Sequence, residues 1–311
     1  MVSPASFRPP YHQNTVASEK PTVRHLRTAD SREQFFEWKY CESFFDNDNQ
    51  THWWSLKSDC PAKFTLDVVE ELRNFQTDFA NQMRNRMKNS DQELPRYQVL
   101  SSEIPGIFNL GGDLAHFYEL ITAGDREGLL TYARKCIELV YLNVSAMGLP
   151  MTTIALVKGN AMGGGMEAAL SCNVIVAERH VQMGLPEVLF NLFPGMGAYQ
   201  FLSRRMPATQ AERLILSGIT YSAEDLHKMG VVDVLAETGE GEQAVRRYIR
   251  RQRTQHNANS GLRQMIQGTD PVSRESLMQA VDVWVDCAMG LGESDLTRMK
   301  YLIRSQRNRG Y

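Results

Sequence analysis

Apolar residues recur every three or four positions in several stretches of the chain, which predicts amphipathic helices. The first helix begins after Thr65, a residue type that favours the N-cap, and its apolar face is Leu66, Val69, Leu72, Phe75, Phe79 and Met83. A second helix is predicted at 128–144. The remaining helical patterns lie from 114 onward and at 223–230, 240–255 and 277–306.

The strand signals lie before Pro194-Gly195, after which the pattern is mostly helical. The β-branched apolar runs at 152–157 and 173–177 have the composition of strands buried on both faces, and 97–100 predicts a further strand. Residues 23–40 alternate unevenly around a turn-like Ala29-Asp30-Ser31, which suggests a hairpin. Because strand, glycine turn and helix follow one another at least twice, the pattern favours an α/β fold with right-handed crossovers.

Two glycine turns interrupt this alternation. The first, Gly111-Gly112-Asp113, is compatible with an ordinary strand-to-helix connection. The second, Gly163-Gly164-Gly165, stands at a predicted helix start, where three glycines cost conformational entropy, so something is expected to approach the backbone closely. Free N–H groups at a helix start attract an oxyanion, and two neighbouring turns would present one N–H each to the same carbonyl oxygen.

Two carboxylates accompany the second turn: Glu167, at the start of the predicted helix, and Glu187, which follows Pro186. Either acid could simply complement a helix dipole. Their sequence neighbours are apolar, however, and apolar surroundings raise the pKa of a carboxylate, as proton transfer near neutrality requires. Enolate chemistry on a thioester needs acids that transfer protons and backbone N–H donors that stabilise the oxyanion, and this segment contains both.

The same segment also fits a dinucleotide-binding fingerprint, Gly163-x-Gly165-x-x-Ala168, with Glu178 as the ribose-binding acid at the end of the next strand. Two features weigh against it: the turn begins several residues after its strand, and Glu167 would repel a pyrophosphate. Other catalytic motifs are missing, since the sequence has no Gly-x-Ser-x-Gly elbow, Walker loop or His-Glu-x-x-His.

Composition places the chain among ordinary globular proteins: 311 residues, 42% hydrophobic and 23% charged, with a formal net charge of −2. That charge excludes a global attraction to nucleic acid or to an acidic membrane, and the arginine-rich 246–253 is interpreted as the solvated face of a helix. The five cysteines and seven histidines lack metal-ligand spacing. With no signal peptide or membrane-length apolar run, we expect a cytoplasmic protein without a metal site.

Several strings stand in the order and spacing of the crotonase superfamily, the enoyl-CoA hydratase type; they lie at 109–114, 159–167, 184–187 and 194–198. Longer strings most resemble its diffusible-signal-factor synthases, the bacterial enzymes that make cis-2-unsaturated fatty-acid quorum signals; these lie at 108–115, 159–177, 183–199, 284–289 and 291–293. The resemblance extends over roughly residues 20–310 but leaves 46–54 unmatched.

The resemblance implies a spiral of ββα units followed by C-terminal helices. Its expected divisions are a flexible tail at 1–20, a catalytic core at 21–235, and a helical region at 236–311 that serves oligomerisation and covers the pocket. Crotonases of this kind usually assemble into trimers, so a homo-oligomer is expected, and no cofactor is implied.

Site residues are implied by position in the family's motifs. The catalytic acid and base would be Glu167 and Glu187, in an order that the sequence leaves open, and the oxyanion donors would be the N–H groups of Gly112 and Gly164. An apolar tunnel for the acyl chain is expected near three further residues: Met196, Trp284 and Leu302.

Similar synthases dehydrate a 3-hydroxyacyl thioester on acyl carrier protein to the cis-2-enoyl thioester and hydrolyse it to the free acid. The residues leave open whether the carrier is acyl carrier protein or coenzyme A. The resemblance also implies a protein partner, the receiver domain of a sensor kinase. Two alternatives remain: an enoyl-CoA hydratase/isomerase of fatty-acid metabolism, and a catalytically idle crotonase that acts only as a partner of such a kinase.

Overall fold

The computed structural model describes residues 32–88 and 94–308. The tail predicted at 1–20 and the first half of the 23–40 hairpin therefore lie outside the described residues.

The strands of the described residues are short and alternate with helices along most of the chain. They are Arg32–Glu37 (β1), Cys41–Asp46 (β2), Thr51–Leu56 (β3), Tyr97–Ser102 (β4), Ile107–Asn109 (β5), Thr152–Val157 (β6), Asn160–Met162 (β7), Val174–Glu178 (β8), Gln182–Gly184 (β9), Thr220–Ser222 (β10) and Val234–Ala236 (β11).

Toward the end of the chain the helices follow one another without intervening strands. They are Leu66–Lys88 (α1), Leu114–Thr122 (α2), Arg126–Val144 (α3), Gly164–Leu170 (α4), Ala198–Leu202 (α5), Ala208–Ser217 (α6), Ala223–Lys228 (α7), Gly241–Arg253 (α8), His256–Thr269 (α9), Arg274–Met289 (α10) and Glu293–Asn308 (α11). Two 3-10 helices lie at Ala146–Gly148 and Pro186–Phe190.

The strands form two sheets. The larger has the spatial order β1-β2-β3-β4-β6-β8-β11, in which β3 and the strands after it run parallel, and the smaller has the order β10-β9-β7-β5. Three successive strand pairs, β4–β5, β6–β7 and β8–β9, each send a long strand into the larger sheet and a short one into the smaller. A helical segment follows each pair, so the ββα unit repeats three times.

Alternate residues of the parallel strands face opposite sides of the larger sheet, because the side-chain period of a strand is two. On one side, Val99 and Ile154 belong to a core cluster with Val245 of α8. On the other, Leu100 and Ala155 belong to the main core, which includes the apolar faces of α1 and α3. Burial on both faces explains why these strands are almost wholly apolar.

The predicted α/β architecture with C-terminal helices is confirmed, and the strands predicted at 97–100, 152–157 and 173–177 correspond to β4, β6 and β8. The single stretch at 277–306 is corrected to two helices, because α10 ends at its C-cap Gly290 and α11 begins at Glu293. The second half of the 23–40 stretch contains β1, which pairs with β2 beyond residue 40.

Two parts of the fold were not predicted. The unmatched segment 46–54 contains the turn of an antiparallel hairpin between β2 and β3. Helix α9 contains two glycines and buries none of its described side chains, so its sequence has no clear apolar stripe. The C-terminal region 236–311 is divided in the structure: α8 packs on the larger sheet, whereas α10 packs on α3 and α11 on α2.

Candidate active site

The two glycine turns lie against each other. A Cβ at Gly111 would be 2.8 Å from Gly164 N, and a Cβ at Gly165 would be 2.1 Å from Asn109 O. Asn109 also accepts a hydrogen bond from Gly111 N–H through Oδ1 at 2.8 Å. The first turn is therefore one of the groups that approach the second turn closely. Only glycine fits at positions 111 and 165, because a Cβ at either position would collide with the backbone of the other segment.

Gly112 and Gly164 line the same cavity, and the N–H group of neither donates a hydrogen bond within the described part of the chain. Gly112 is held in place by a parallel bridge to Phe64. The next residue, Asp113, caps α2 by accepting a hydrogen bond from His116 N–H at 3.3 Å. Two fixed and unused backbone donors are what a developing oxyanion requires, and this role remains a prediction for both glycines.

Glu167 lies in α4, one turn after the second glycine turn, and is only 1% exposed. Its Oε1 accepts hydrogen bonds from the backbone N–H groups of Met196 at 2.7 Å and Ala198 at 2.9 Å. Burial, together with the charge of Glu187, raises the pKa of Glu167 well above its usual range, and the two N–H donors act in the opposite direction. The carboxyl group is thus fixed in position and disposed to carry a proton.

Glu187 lies in the 3-10 helix Pro186–Phe190 and faces the second glycine turn. A Cβ at Gly163 would be 2.5 Å from Glu187 Oε1, so a larger residue at 163 would displace the acid. Glu187 Oε2 is buried and has no hydrogen-bond partner among the described residues. Burial raises the pKa of Glu187 from an ordinary value of 4.5 to about 7. This acid can gain or lose a proton at neutral pH.

The cavity beside the two acids has a volume of about 900 Å³, counted to its open mouth. Its wall is largely apolar, and the apolar side chains that line it are Leu110, Leu114, Phe117, Met162, Phe190, Met196, Trp284 and Leu302. Met196 lies over the second turn, since a Cβ at Gly164 would be 2.6 Å from its Sδ. Besides the acids and the glycine turns, polar groups of the wall come from Tyr132, Cys136, Ser305 and Gln306, and the apolar remainder suits a hydrocarbon chain.

Trp284 of α10 is fixed in the cavity wall by three contacts. Its Nε1 donates to Phe193 O at 2.9 Å, and its ring packs edge-on against Phe117 with centroids 5.3 Å apart. A Cβ at Gly195 would be 2.6 Å from the indole, so glycine is needed for the ring to lie there. An indole held on three sides gives the cavity wall a defined shape.

Helix α11 supplies the wall nearest to the first glycine turn. Leu302, Ser305 and Gln306 of this helix line the cavity. Gln306 Nε2 donates to Leu110 O at 3.2 Å and to Gly112 O at 3.3 Å. The C-terminal helix is thereby tied to the residue whose N–H is an expected oxyanion donor.

A family model for enoyl-CoA hydratase/isomerase matches residues 62–279, which contain both glycine turns and both acids. The chain belongs to the enoyl-CoA hydratase/isomerase family. This places it in the crotonase superfamily, as the motifs indicated.

Solved structures agree with this family. Human mitochondrial delta3-delta2-enoyl-CoA isomerase is 15% identical, with 88% of this chain and 100% of that chain covered and a TM-score of 0.71. An enoyl-CoA hydratase from Bacillus halodurans is 19% identical, with 85% and 100% covered and a TM-score of 0.68. Pseudomonas aeruginosa DspI is 25% identical, with 83% and 98% covered and a TM-score of 0.61. The first two show that the chain has the fold of the hydratase/isomerase family.

In this hydratase/isomerase chain the cavity is bordered by all seven residues that the sequence singled out: Gly112, Gly164, Glu167, Glu187, Met196, Trp284 and Leu302. Their individual roles remain predictions. Sequence reasoning missed other residues of the wall, among them Phe117, Tyr132, Cys136 and Gln306. No motif could have identified these four, because they lie on amphipathic helices and reach the cavity only through packing.

The dinucleotide alternative does not fit this family member. The ribose-binding acid it needs, Glu178, is 4% exposed and accepts hydrogen bonds from the N–H groups of Gly239 and Gly241 at 2.9 and 3.0 Å. Within residues 32–88 and 94–308, no three His, Cys, Asp or Glu side chains are grouped as metal ligands. No helix of those ranges has both the length and the apolar character to span a membrane.

Proposed function

We propose that this crotonase-family enzyme makes a cis-2-unsaturated fatty acid from a 3-hydroxyacyl thioester, by dehydration followed by hydrolysis of the thioester. One observation carries the proposal: two buried carboxyl groups with raised pKa values and two unused backbone N–H donors belong to residues that line one largely apolar cavity. The choice of cis-2-enoic acid as product rests on the resemblance to diffusible-signal-factor synthases, and the 25% identity to DspI is compatible with it.

The surroundings of the two acids support different roles for them in the first step. The protonated form of Glu167 is the more strongly favoured of the two, because Glu167 is more deeply buried and the charge of Glu187 also raises its pKa. Glu187, with a pKa of about 7, is partly ionised at neutral pH. Glu187 is therefore the base that removes the α-proton, and Glu167 is the acid that protonates the departing hydroxyl.

Dehydration then proceeds through an enolate. Glu187 takes the proton from Cα, the electron pair moves to the thioester oxygen, and the N–H groups of Gly112 and Gly164 hold the resulting oxyanion. When the enolate collapses, the bond from Cβ to the hydroxyl breaks, and the hydroxyl leaves as water with the proton of Glu167. The products are the enoyl thioester and one water molecule.

This step leaves the acids in the states that hydrolysis requires. Glu167 is now ionised and takes a proton from a water molecule as the water oxygen attacks the thioester carbonyl. The carbon–sulfur bond breaks, and the sulfur leaves as a thiol with the proton of Glu187. Both acids return to their starting states, so the two reactions together complete one proton cycle.

The closest rival is an enoyl-CoA hydratase, which would use the same acids but release no free acid. A binding-only role has less support, because a protein partner would not require two carboxyl groups to be buried beside unused N–H donors. Neither the paired acids nor the cavity distinguishes acyl carrier protein from coenzyme A. The proposal names acyl carrier protein on the resemblance to the synthases.

Mass spectrometry of the products tests the proposal. Purified protein is incubated with 3-hydroxydodecanoyl acyl carrier protein, and in parallel with its coenzyme A counterpart, in water enriched in oxygen-18. The expected product is free cis-2-dodecenoic acid with one labelled carboxyl oxygen, formed faster from the carrier-protein substrate. Reversible hydration of trans-2-dodecenoyl-CoA without free acid would identify a hydratase instead, and no turnover of either substrate would contradict both readings.

A further inference from the structure

A second cleft lies at the opposite end of the parallel strands from the catalytic cavity. It contains the first residues of β4 and β6, Tyr97 and Thr152, whereas both glycine turns follow the carboxyl ends of their strands. Its volume is about 670 Å³, again counted to its open mouth, and no lining residue is shared with the catalytic cavity. Its other walls come from α8, α9 and the segment 149–151.

The charge of this cleft is of one sign. Arg96 and Arg263 line it, and no carboxylate of the described residues does. Neither arginine forms an ion pair with a carboxylate within the part of the chain that the structure describes. Burial raises the pKa of Tyr97, and the charges of Arg96, Arg263 and Arg253 act in the opposite direction, so three guanidinium groups act on this phenol. An anion would find uncompensated positive charge here.

The arginine-rich stretch 246–253 accounts for only part of this charge, through Arg253. Arg246 pairs with Asp46 and lies over the ring of Trp53, and Arg247 pairs with Glu240 at 3.8 Å. These two arginines serve the packing of α8. The two cations that line the cleft come from outside that stretch: Arg96 lies just before β4, and Arg263 belongs to α9.

The rest of the lining is polar on one side and apolar on the other. Hydrogen-bonding groups come from Tyr97, Tyr248, Gln252, Asn259, Ser260, Gln264 and Gln267. Leu149, Pro150 and Met151 form an apolar wall. We propose that this cleft is a binding site for a small phosphate monoester, with the phosphate on Arg96 and Arg263 and the organic part between the amides and the apolar wall. Guanidinium forks match phosphate oxygens in pairs, which favours phosphate over a single point charge.

Calorimetric titration at low ionic strength tests the site with three probes: adenosine 5′-monophosphate, adenosine and inorganic phosphate. We expect one molecule of the monophosphate per chain, bound more tightly than either adenosine or inorganic phosphate alone. Arg263→Gln should weaken this binding about tenfold or more, because charge-assisted hydrogen bonds to the phosphate are lost. Arg250→Gln is the matched control, since Arg250 is an exposed arginine of α8 that does not line the cleft.

Several results would overturn the proposal. These are no binding of any probe at millimolar concentration, an equal loss in Arg250→Gln and Arg263→Gln, or inorganic phosphate binding as tightly as the monophosphate. Should Arg263→Gln change the circular dichroism spectrum, Arg96→Gln replaces it, because Arg96 is exposed at the start of a strand. Unweakened binding in a folded Arg96→Gln variant would then exclude the site.

Discussion

At the scale of single residues, the two acids differ in how the protein supports them. Glu167 Oε1 is held by two backbone N–H donors, whereas Glu187 Oε2 is buried without a hydrogen-bond partner among the described residues. A held acid keeps its position through the reaction. The ionised form of a carboxyl group with an unpartnered buried oxygen, such as Glu187, is high in energy, which makes the group a stronger base.

Replacing either acid by its amide should remove activity and keep the fold. In Glu167→Gln the amide oxygen still accepts from Met196 and Ala198 N–H, and in Glu187→Gln the side-chain volume is unchanged. Neither amide transfers a proton, so turnover should fall by about a hundredfold or more in each variant. Product formation by mass spectrometry measures the loss, with circular dichroism as the control for folding. Retained turnover in both variants would remove the acid–base assignment.

The buried carboxyl of Glu187 should also make the protein less stable as the pH rises. Its folded pKa, about 7, lies above its ordinary value of 4.5, so the folded state binds the proton more tightly. The stabilising contribution is complete below pH 4.5 and is lost as the pH rises through 7. Glu187→Gln should therefore raise the free energy of unfolding at pH 8 by about 1–3 kcal/mol relative to wild type.

Urea unfolding of both proteins at pH 5 and pH 8 measures this difference. The variant should gain stability over wild type mainly at the higher pH. An equal difference at the two pH values would mean that the effect comes from packing and not from ionisation of Glu187.

At the scale of elements, each glycine turn is shaped by what packs on it. A side chain at Gly163 would collide with Glu187, and one at Gly164 would collide with Met196. A side chain at Gly165 would collide with the segment of the first turn. The sequence predicted that something approaches this backbone closely, and the structure identifies side chains and backbone of the protein itself as the neighbours. Gly112 and Gly164 line the cavity, and their N–H groups have no hydrogen-bond acceptor among the described residues.

The role of the Gly164 N–H can be tested by removing it while allowing for Met196. A Cβ at 164 would be 2.6 Å from Met196 Sδ, so the test is made in a Met196→Ala background. There, Gly164→Pro deletes the N–H at the first position of α4, where proline is tolerated, and should lower turnover about a hundredfold to a thousandfold. Gly164→Ala in the same background keeps the N–H and is the control. Equal losses in the two double variants would show that volume, not the donor, is responsible.

The indole of α10 should help to set the preferred length of the acyl chain. Trp284→Phe keeps an aromatic ring against Phe117 and enlarges the cavity, so the preferred chain should become longer, with about 0.8 kcal/mol of binding for each added buried methylene. Rates with acyl chains of different lengths measure the shift. Val283→Ala is the control, because Val283 is 57% exposed on the same helix. A less stable Trp284→Phe protein with an unchanged length profile would make Trp284 a residue of the core only.

At the scale of the whole molecule, the sequence could predict those features that depend on a few neighbouring residues. The glycine turns and the two acids carry their own signals, because a positive φ, a close backbone approach or a carboxylate among apolar residues is written in a few neighbouring positions. Strand β3 carried no such signal, since it buries Thr51 and His52. His52 is accommodated by stacking on Phe79 at 4.0 Å, a contact with a helix that begins ten residues after β3.

Local sequence patterns also fail to predict part of the candidate active site. Tyr132 and Gln306 reach the first glycine turn from helices far away in the chain. The Tyr132 hydroxyl accepts a hydrogen bond from Asp113 N–H, and Gln306 Nε2 donates to Leu110 O and Gly112 O. Such contacts depend on how α3 and α11 pack, which no short motif encodes. The wall of the cavity is therefore a property of the assembled molecule, while its catalytic groups are properties of two short segments.

Gln306 should couple the C-terminal helix to the catalytic turn across the molecule. Gln306→Met keeps the length of the side chain but removes the donors to Leu110 O and Gly112 O, which should cost about 0.5–1.5 kcal/mol of stability. Because Leu302 on the same helix lines the cavity, a loosened α11 should also raise KM and lower kcat. Arg304→Gln, an exposed change on α11, is the control and should alter none of these quantities. If Gln306→Met lowers the melting temperature and leaves kcat and KM at their wild-type values, α11 contributes to folding alone, and the first glycine turn holds its geometry without it.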